Sequence, residues 1–133
     1  MHHPTSAEVL ALLEAGLAKA ADMNEPSCMA VVDAGGNLMG FLRSDEAQFG
    51  TIEIAINKAW TASAFRMATA DLAPDVLPGR ELYGIEGTGA RPFVPFGGGL
   101  PIKRGGKCIG GVGVSGGPVA TDVAIAEAML AAL

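Results

Sequence analysis

A glycine-rich apolar run near the C-terminus limits the possible folds of this 133-residue chain more than any other segment. Residues 109–117 read Ile-Gly-Gly-Val-Gly-Val-Ser-Gly-Gly, and Pro118 and a helical pattern follow them. A short apolar run predicts a buried strand, and the Ser-Gly-Gly-Pro break predicts a tight turn into a helix. Such a turn can offer free backbone N–H groups and a positive helix end to an anion.

The same run matches two enzyme motifs, and the rest of the chain supports neither. Residues 113–117 have the G-x-S-x-G spacing of a hydrolase, but that site needs a histidine base, and His2 and His3 are the only histidines. Residues 111–116 have G-x-G-x-x-G spacing, but a dinucleotide fold needs a further strand and an acid about 20 residues on. We therefore interpret Ser115 as a hydrogen-bonding turn residue and not as a nucleophile.

Composition narrows the class of protein. The formal net charge is −5 and no basic run is present, which disfavours nucleic acid as a partner. No apolar stretch is long enough to span a bilayer and no signal peptide is visible, so we expect no membrane association. Cys28 and Cys108 lie far apart, as reduced thiols of a cytoplasmic protein would. The high mean hydropathy favours a homo-oligomer, and no cluster predicts a metal site.

Turn and capping signals predict a single domain over residues 1–133. Thr5-Ser-Ala-Glu8 is a capping box that begins the first helix, and Asp33-Ala-Gly-Gly-Asn37 is a hairpin turn. The predicted order is helix 6–23, strands 28–32 and 38–43, helix 52–67, an irregular segment 69–91, strands 93–96, 100–104 and 107–114, and a last helix from 118. Hairpins dominate this order, so we expect an α/β (α+β) fold with an antiparallel sheet of about five strands and helices on its faces.

Polar residues at the ends of apolar elements are the candidates for chemistry. Lys58 lies between Ile56 and Ala59, where it either extends to solvent or supplies a cation to a site. Asp122 falls in the first turn of the last helix, where it stabilises the helix dipole or acts as an acid or base. The acid/base candidates are Lys58, Asp45, Glu81 and Asp122. The candidates for ligand binding are Arg43, Lys58, Gly97, Gly98, Gly99, Ser115 and Gly116.

Four segments, taken in order, resemble the GlcG/HbpS family, which includes the C-terminal domain of the PduO adenosyltransferase. They are Val-Val-Asp-Ala-Gly-Gly-Asn-Leu at 31–38, Phe-Leu-Arg-Ser-Asp at 41–45, Ala-Ile-Asn-Lys-Ala-Trp-Thr-Ala at 55–62, and Phe-Gly-Gly-Gly-Leu-Pro-Ile at 96–102 leading into 109–117. Asp122 matches the acid that follows. Arg-Glu-Leu-Tyr-Gly-Ile at 80–85 looks closest to stand-alone members from diol and glycerol utilisation clusters.

The resemblance implies a profilin-like, three-layer α/β/α fold and assembly into homo-oligomers. It also implies haem as a possible ligand, because several members of the family bind it. In those relatives a histidine of the N-terminal region is the expected iron ligand, and the first helix here has none. His2 and His3 precede that helix, and Met23 and Met29 are thioether alternatives, so haem has no obvious axial histidine.

Three hypotheses for function follow from these observations. The first is an accessory protein that binds haem or a small anionic metabolite, with Arg43 and Lys58 supplying positive charge. The second is a small cofactor-independent isomerase, lyase or hydrolase acting on an organic acid. The third is a structural subunit of an oligomer. The second requires at least two of the acid/base candidates to face one cavity.

Overall fold

A computed structural model describes residues 2–133, which form three α-helices around one antiparallel four-stranded sheet. The strands lie in the order β2-β1-β4-β3. The elements are α1 (Ser6–Asp22), β1 (Cys28–Asp33), β2 (Leu38–Arg43), α2 (Thr51–Phe65), β3 (Gly99–Arg104), β4 (Lys107–Ser115) and α3 (Val119–Leu130), with short 3-10 helices at Thr69–Val76 and Ile85–Gly87.

The first helix begins as its capping box predicts. The Thr5 hydroxyl accepts a hydrogen bond from the Glu8 backbone N–H at 3.1 Å, and the Glu8 carboxylate accepts one from the Thr5 N–H at 2.8 Å. Two N–H groups that lack partners within the helix are thereby satisfied. The predicted hairpin turn is also present, because the Asp33 carboxylate accepts hydrogen bonds from the backbone N–H groups of Gly35 and Asn37.

Helices cover both faces of the sheet, which confirms the predicted layered α/β arrangement. Met29 and Val31 of β1 point toward α1 and α3, where they share a core with Leu12, Ile125 and Met129. The alternate residues of the same strand point toward α2 and form the second core, with Cys28, Ala30, Val32, Ala55 and Ala59. None of the helices within residues 2–133 combines the length and apolar character that crossing a bilayer requires.

The expectation of about five strands is wrong by one strand, because residues 93–96 are not part of the sheet. Pro95 has no N–H to donate to a ladder, which disfavours pairing at this position. The segment packs on α2 instead. The Val94 N–H donates to the Thr61 hydroxyl at 3.0 Å, and the Phe93 ring stacks on Trp60 with 5.0 Å between centroids.

Helical spacing in α2 predicts an inner stripe of Ile52, Ile56, Ala59 and Ser63, of which only Ala59 and Ser63 are buried. Ile52 and Ile56 are only half-buried, whereas Ala55, Lys58 and Ala62 are fully enclosed. Thr51, which the sequence suggests as the cap of this helix, is instead its first residue, and its hydroxyl donates to the Gln48 carbonyl at 2.6 Å. A small-residue face therefore lies against the sheet, and the larger isoleucines lie at its border.

The glycines of β4 allow α2 to approach the sheet at backbone distance. A Cβ atom on Gly113 would collide with the Ala55 carbonyl oxygen and the Ala59 backbone nitrogen, and one on Gly111 would collide with the Ala59 carbonyl. Neither backbone can move without separating α2 from the sheet. The apolar glycine run of the sequence is thus the packing surface for a helix.

We predict that Gly113→Ala lowers the free energy of unfolding by about 2 to 3 kcal/mol, because a new methyl group overpacks a closed backbone contact. Urea denaturation followed by circular dichroism measures it. Gly50→Ala is the matched control, because a Cβ at Gly50 meets nothing within 4 Å and the residue has ordinary helical angles. Equal midpoints for the two variants would contradict the close approach of α2.

An ion pair also connects α1 to β3, which is an edge strand of the sheet. The Arg104 guanidinium at the end of β3 donates to both carboxylate oxygens of Glu8. This contact, together with the hydrogen bond from the Thr5 N–H, lowers the pKa of Glu8 to about 2. A carboxyl group whose pKa is lower in the folded state stabilises the fold above its unfolded pKa. That contribution is lost as the pH falls toward the folded pKa.

We therefore predict that the urea midpoint falls as the pH is lowered from about 4.5 toward 2, and that Glu8→Gln removes part of this fall. Glu14→Gln is the control, because Glu14 is exposed on the same helix and forms no ion pair within residues 2–133. Parallel pH profiles for wild type and Glu8→Gln would show that the contact with Arg104 does not form in solution.

Candidate functional site

A buried ion pair joins α2 to α3 at the centre of the molecule. Lys58 Nζ donates to Asp122 Oδ2 at 2.9 Å and to the Val114 carbonyl oxygen at 2.9 Å. The side chains of Lys58 and Asp122 are only 1% and 3% exposed. Lys58 therefore does not extend to solvent, and two of the residues predicted as acid/base candidates lie in direct contact.

The triple glycine closes over the lysine. A Cβ on Gly98 would lie 2.7 Å from both Lys58 Nζ and the Val114 carbonyl oxygen, and the φ of Gly98 is +125°, which favours glycine. Gly99 packs against the Lys58 backbone carbonyl, and its N–H donates to the Thr69 hydroxyl at 2.9 Å. The Phe96 ring covers the remaining side, with its centroid 5.0 Å from Nζ.

The turn after β4 uses its free N–H groups for a carboxylate of this chain. The Gly117 N–H points at Asp122 Oδ1 at 3.5 Å, and hydrogen bonding from Gly116 and Gly117 favours the ionised carboxylate. The positive start of α3 acts in the same direction. The anion expected at residues 115–117 is therefore the carboxylate of Asp122, which leaves less capacity for an external ligand there.

Burial and pairing have opposite effects on the two titrating groups. Loss of hydration raises the pKa of Asp122 and lowers the pKa of Lys58, while their mutual hydrogen bond opposes both changes. Because the ammonium has a carboxylate and a carbonyl as acceptors, the charged pair has suitable partners in the interior. The arrangement can hold α2, β4 and α3 together. Neither Lys58 nor Asp122 lines any of the three surface clefts that are described below.

The other predicted site residues lie elsewhere. Arg43 is exposed and donates to the Ala47 carbonyl oxygen at 2.8 and 3.0 Å. Asp45 lines a cleft of about 210 Å³ at the end of α1, and Glu81 is exposed in the irregular segment. The structure brings Lys58, Asp122, Gly97, Gly98, Gly99, Ser115 and Gly116 together. It does not bring the four acid/base candidates to one cavity.

Two clefts were missed by the sequence reasoning. The first, here called the α1–β2 cleft, has a volume of about 330 Å³. Its walls are mostly apolar: Ser6, Val9, Leu10, Leu13, Met39, Gly40 and Phe41. The second, here called the Arg91 cleft, has a volume of about 370 Å³ between α2 and residues 90–92. No local sequence pattern marked either cleft.

The possible iron donors differ in their access. Met29 is fully buried, whereas Met23 is 38% exposed and Met39 lines the α1–β2 cleft. His2 and His3 are exposed ahead of α1, and His3 Nδ1 lies 2.9 Å from the Pro4 carbonyl oxygen. Within residues 2–133, no three His, Cys, Asp or Glu side chains are grouped to hold a metal ion.

Comparison with known proteins identifies the relatives of this chain. A family model described as "Haem degrading protein HbpS-like" matches residues 5–131. A Citrobacter freundii protein, "Uncharacterized 15.0 kDa protein in dhaT-dhaS intergenic region", is 43% identical over 95% of this chain and 89% of its own length. The corrinoid adenosyltransferase PduO of the same organism is 39% identical, over 95% of this chain but only 38% of its own length.

A solved structure described as the PduOC:heme complex has nearly the same fold. It superimposes with a TM-score of 0.95 at 37% identity and covers 98% of this chain and 95% of its own. The two relatives and this structure together support the resemblance that the sequence motifs indicate.

We predict that Lys58→Met lowers the free energy of unfolding by about 3 to 5 kcal/mol, because it leaves the Asp122 carboxylate buried without its cation. The double variant Lys58→Met/Asp122→Asn loses less than Lys58→Met alone, since the remaining amide carries no charge. Urea denaturation of the single and double variants measures both quantities. A double variant less stable than Lys58→Met would show that the unpaired Asp122 carboxylate is not the cause of the destabilisation.

Proposed function

This chain belongs to the HbpS-like family, and we propose that it is a haem-binding accessory protein whose porphyrin site is the α1–β2 cleft. The observation that supports this most directly is the similarity, over 98% of the chain, to a protein whose solved structure is a haem complex. The buried ion pair has a different role in this proposal: it holds the scaffold, and the ligand binds at the surface.

The α1–β2 cleft has the character that a porphyrin face requires. Its walls are mostly aliphatic, with the Met39 thioether among them, and Leu10 in its lining is 62% exposed. Covering exposed apolar side chains of this size with a ligand is favourable, because it removes their surface from water. Bound haem would contact Leu10 and Leu13 from α1 and Met39 from β2.

The cleft also offers a donor for iron. Met39 projects from β2 into its lining, and a methionine thioether is an established axial ligand of haem iron. His2 and His3 lie only a few residues before Ser6, which lines the cleft. Bound haem would supply redox and ligand-binding chemistry at iron, while the residues of the cleft would bind the ring, orient it and exclude water.

Three further parts of the proposal concern organisation. We propose that residues 1–133 act as one domain, that identical subunits assemble, and that the protein works in the cytoplasm. Exposed apolar residues outside the α1–β2 cleft support assembly, since Leu38, Leu77 and Phe49 are 52%, 56% and 78% exposed. The enzyme alternative has less support, because none of the three clefts described above is lined by two of its four candidate residues.

We predict that haemin titrated into the purified protein gives a saturable Soret shift, and that Leu10→Asp weakens binding at least about tenfold, because a carboxylate against the porphyrin loses its hydration. Leu17→Asp is the matched control, as Leu17 is also exposed on α1 but lines a different cleft. An unchanged spectrum with wild type would favour the structural-subunit alternative. Equal weakening by the two variants would place the porphyrin elsewhere.

The iron donor is tested separately. Met39→Leu keeps the volume of the side chain and removes the sulfur, so we expect an altered spectrum of the reduced complex and a weaker affinity. Met23→Leu, at an exposed methionine outside the cleft lining, is the control. If Met39→Leu matches wild type and a His2→Ala/His3→Ala variant loses the spectrum, the terminal histidines are the ligands and the thioether assignment is wrong.

A further inference from the structure

The Arg91 cleft lies on the α2 side of the sheet, opposite the α1–β2 cleft, and the haem proposal does not use it. Its lining combines an arginine, an amide and a carboxylate with apolar walls: Glu53, Ile56, Asn57, Ala90, Arg91 and Pro92. A concave space with a few convergent polar groups is typical of a small-molecule site.

Arg91 is held in place on two sides. Its Nε donates to Asn57 Oδ1 at 3.0 Å, and its guanidinium carbon lies 5.2 Å from the Trp60 ring centroid. The Trp60 ring in turn stacks on Phe93, which contacts Phe65 at 4.7 Å between centroids. A guanidinium fixed in this way loses little further side-chain entropy when a ligand binds.

The charge of Arg91 has no carboxylate partner within residues 2–133, and in this it differs from Arg80 and Arg104, which pair with Asp75 and Glu8. Because Asn57 takes the Nε–H, the two terminal nitrogens remain as a parallel pair of donors. Such a fork matches the two oxygens of a carboxylate in spacing and in charge.

We propose that the Arg91 cleft binds a small monocarboxylate, with both ligand oxygens accepting hydrogen bonds from the terminal nitrogens of Arg91. Glu53 lies one helical turn before Asn57 on the same wall. Its carboxylate repels a second negative charge and accepts hydrogen bonds. The ligand class is therefore a monocarboxylic acid that carries a hydroxyl or ammonium group, and dicarboxylates and phosphate are disfavoured.

The test is a titration of the ¹⁵N-labelled protein followed through the indole N–H of Trp60 and the Nε–H of Arg91. The probes are lactate, propionate, succinate and inorganic phosphate. Lactate should shift both resonances saturably. Propionate, which lacks the hydroxyl, should bind several-fold more weakly, and succinate and phosphate more weakly still. Absence of a saturable shift with lactate, or tighter binding of phosphate, would overturn the proposal.

Variants separate recognition from general charge. Arg91→Gln and Arg91→Lys should each lose at least about tenfold in lactate affinity, because neither offers the paired donors. Arg80→Gln, at an exposed arginine of the irregular segment, should bind like wild type. Glu53→Gln should narrow the preference for lactate over succinate. Equal losses in Arg91→Gln and Arg80→Gln would overturn the site.

A competing role for Arg91 is pairing with a carboxylate of a second copy of the chain. Sedimentation velocity on wild type and Arg91→Gln separates this role from ligand binding. The proposal expects the same sedimentation coefficient for both proteins. A smaller assembly for Arg91→Gln with unchanged lactate binding would assign Arg91 to a subunit contact and contradict the ligand site.

Discussion

The structure depends on one buried ion pair, between Lys58 of α2 and Asp122 of α3. A lysine and an aspartate can be this deeply enclosed only if each finds partners that replace water, and β4 supplies them. Its Val114 carbonyl accepts from the ammonium, and the turn after it points N–H groups at the carboxylate. Glycine is also required at two nearby positions, because Gly98 approaches the ammonium and Gly113 approaches the α2 backbone.

This pair changes the meaning of the glycine-rich tail. A turn that offers N–H groups and a helix start would suit an external anion, but Asp122 already occupies that position. The buried polar groups therefore stabilise the fold. The features suited to ligands lie at the surface, on opposite faces of the sheet. One is an apolar cleft with a thioether, and the other is a polar cleft around an arginine whose charge is otherwise unmatched in the described residues.

Local signals in the sequence predicted much of the fold, whereas contacts distant in sequence were beyond them. The capping box of Thr5 and Glu8 and the turn at Asp33 are encoded within a few residues, so both could be read directly. The sequence around Lys58 does not decide between a buried and an exposed side chain, because its partner Asp122 lies 64 positions away. The strand expected at 93–96 failed because side-chain packing on α2 outweighed an apolar pattern. Arg91 was missed because its anchors, Asn57 and Trp60, come together with it only in the folded chain.

The most direct test of a closed polar centre with a surface ligand site is a crystal structure of the protein with haemin. The account predicts porphyrin density against Leu10, Leu13 and Met39, with the Lys58–Asp122 contact intact and Phe96 still over the ammonium. Porphyrin density that displaces Phe96 and places a propionate on Lys58 would contradict it, because the buried pair would then be the ligand site and not the support of the fold.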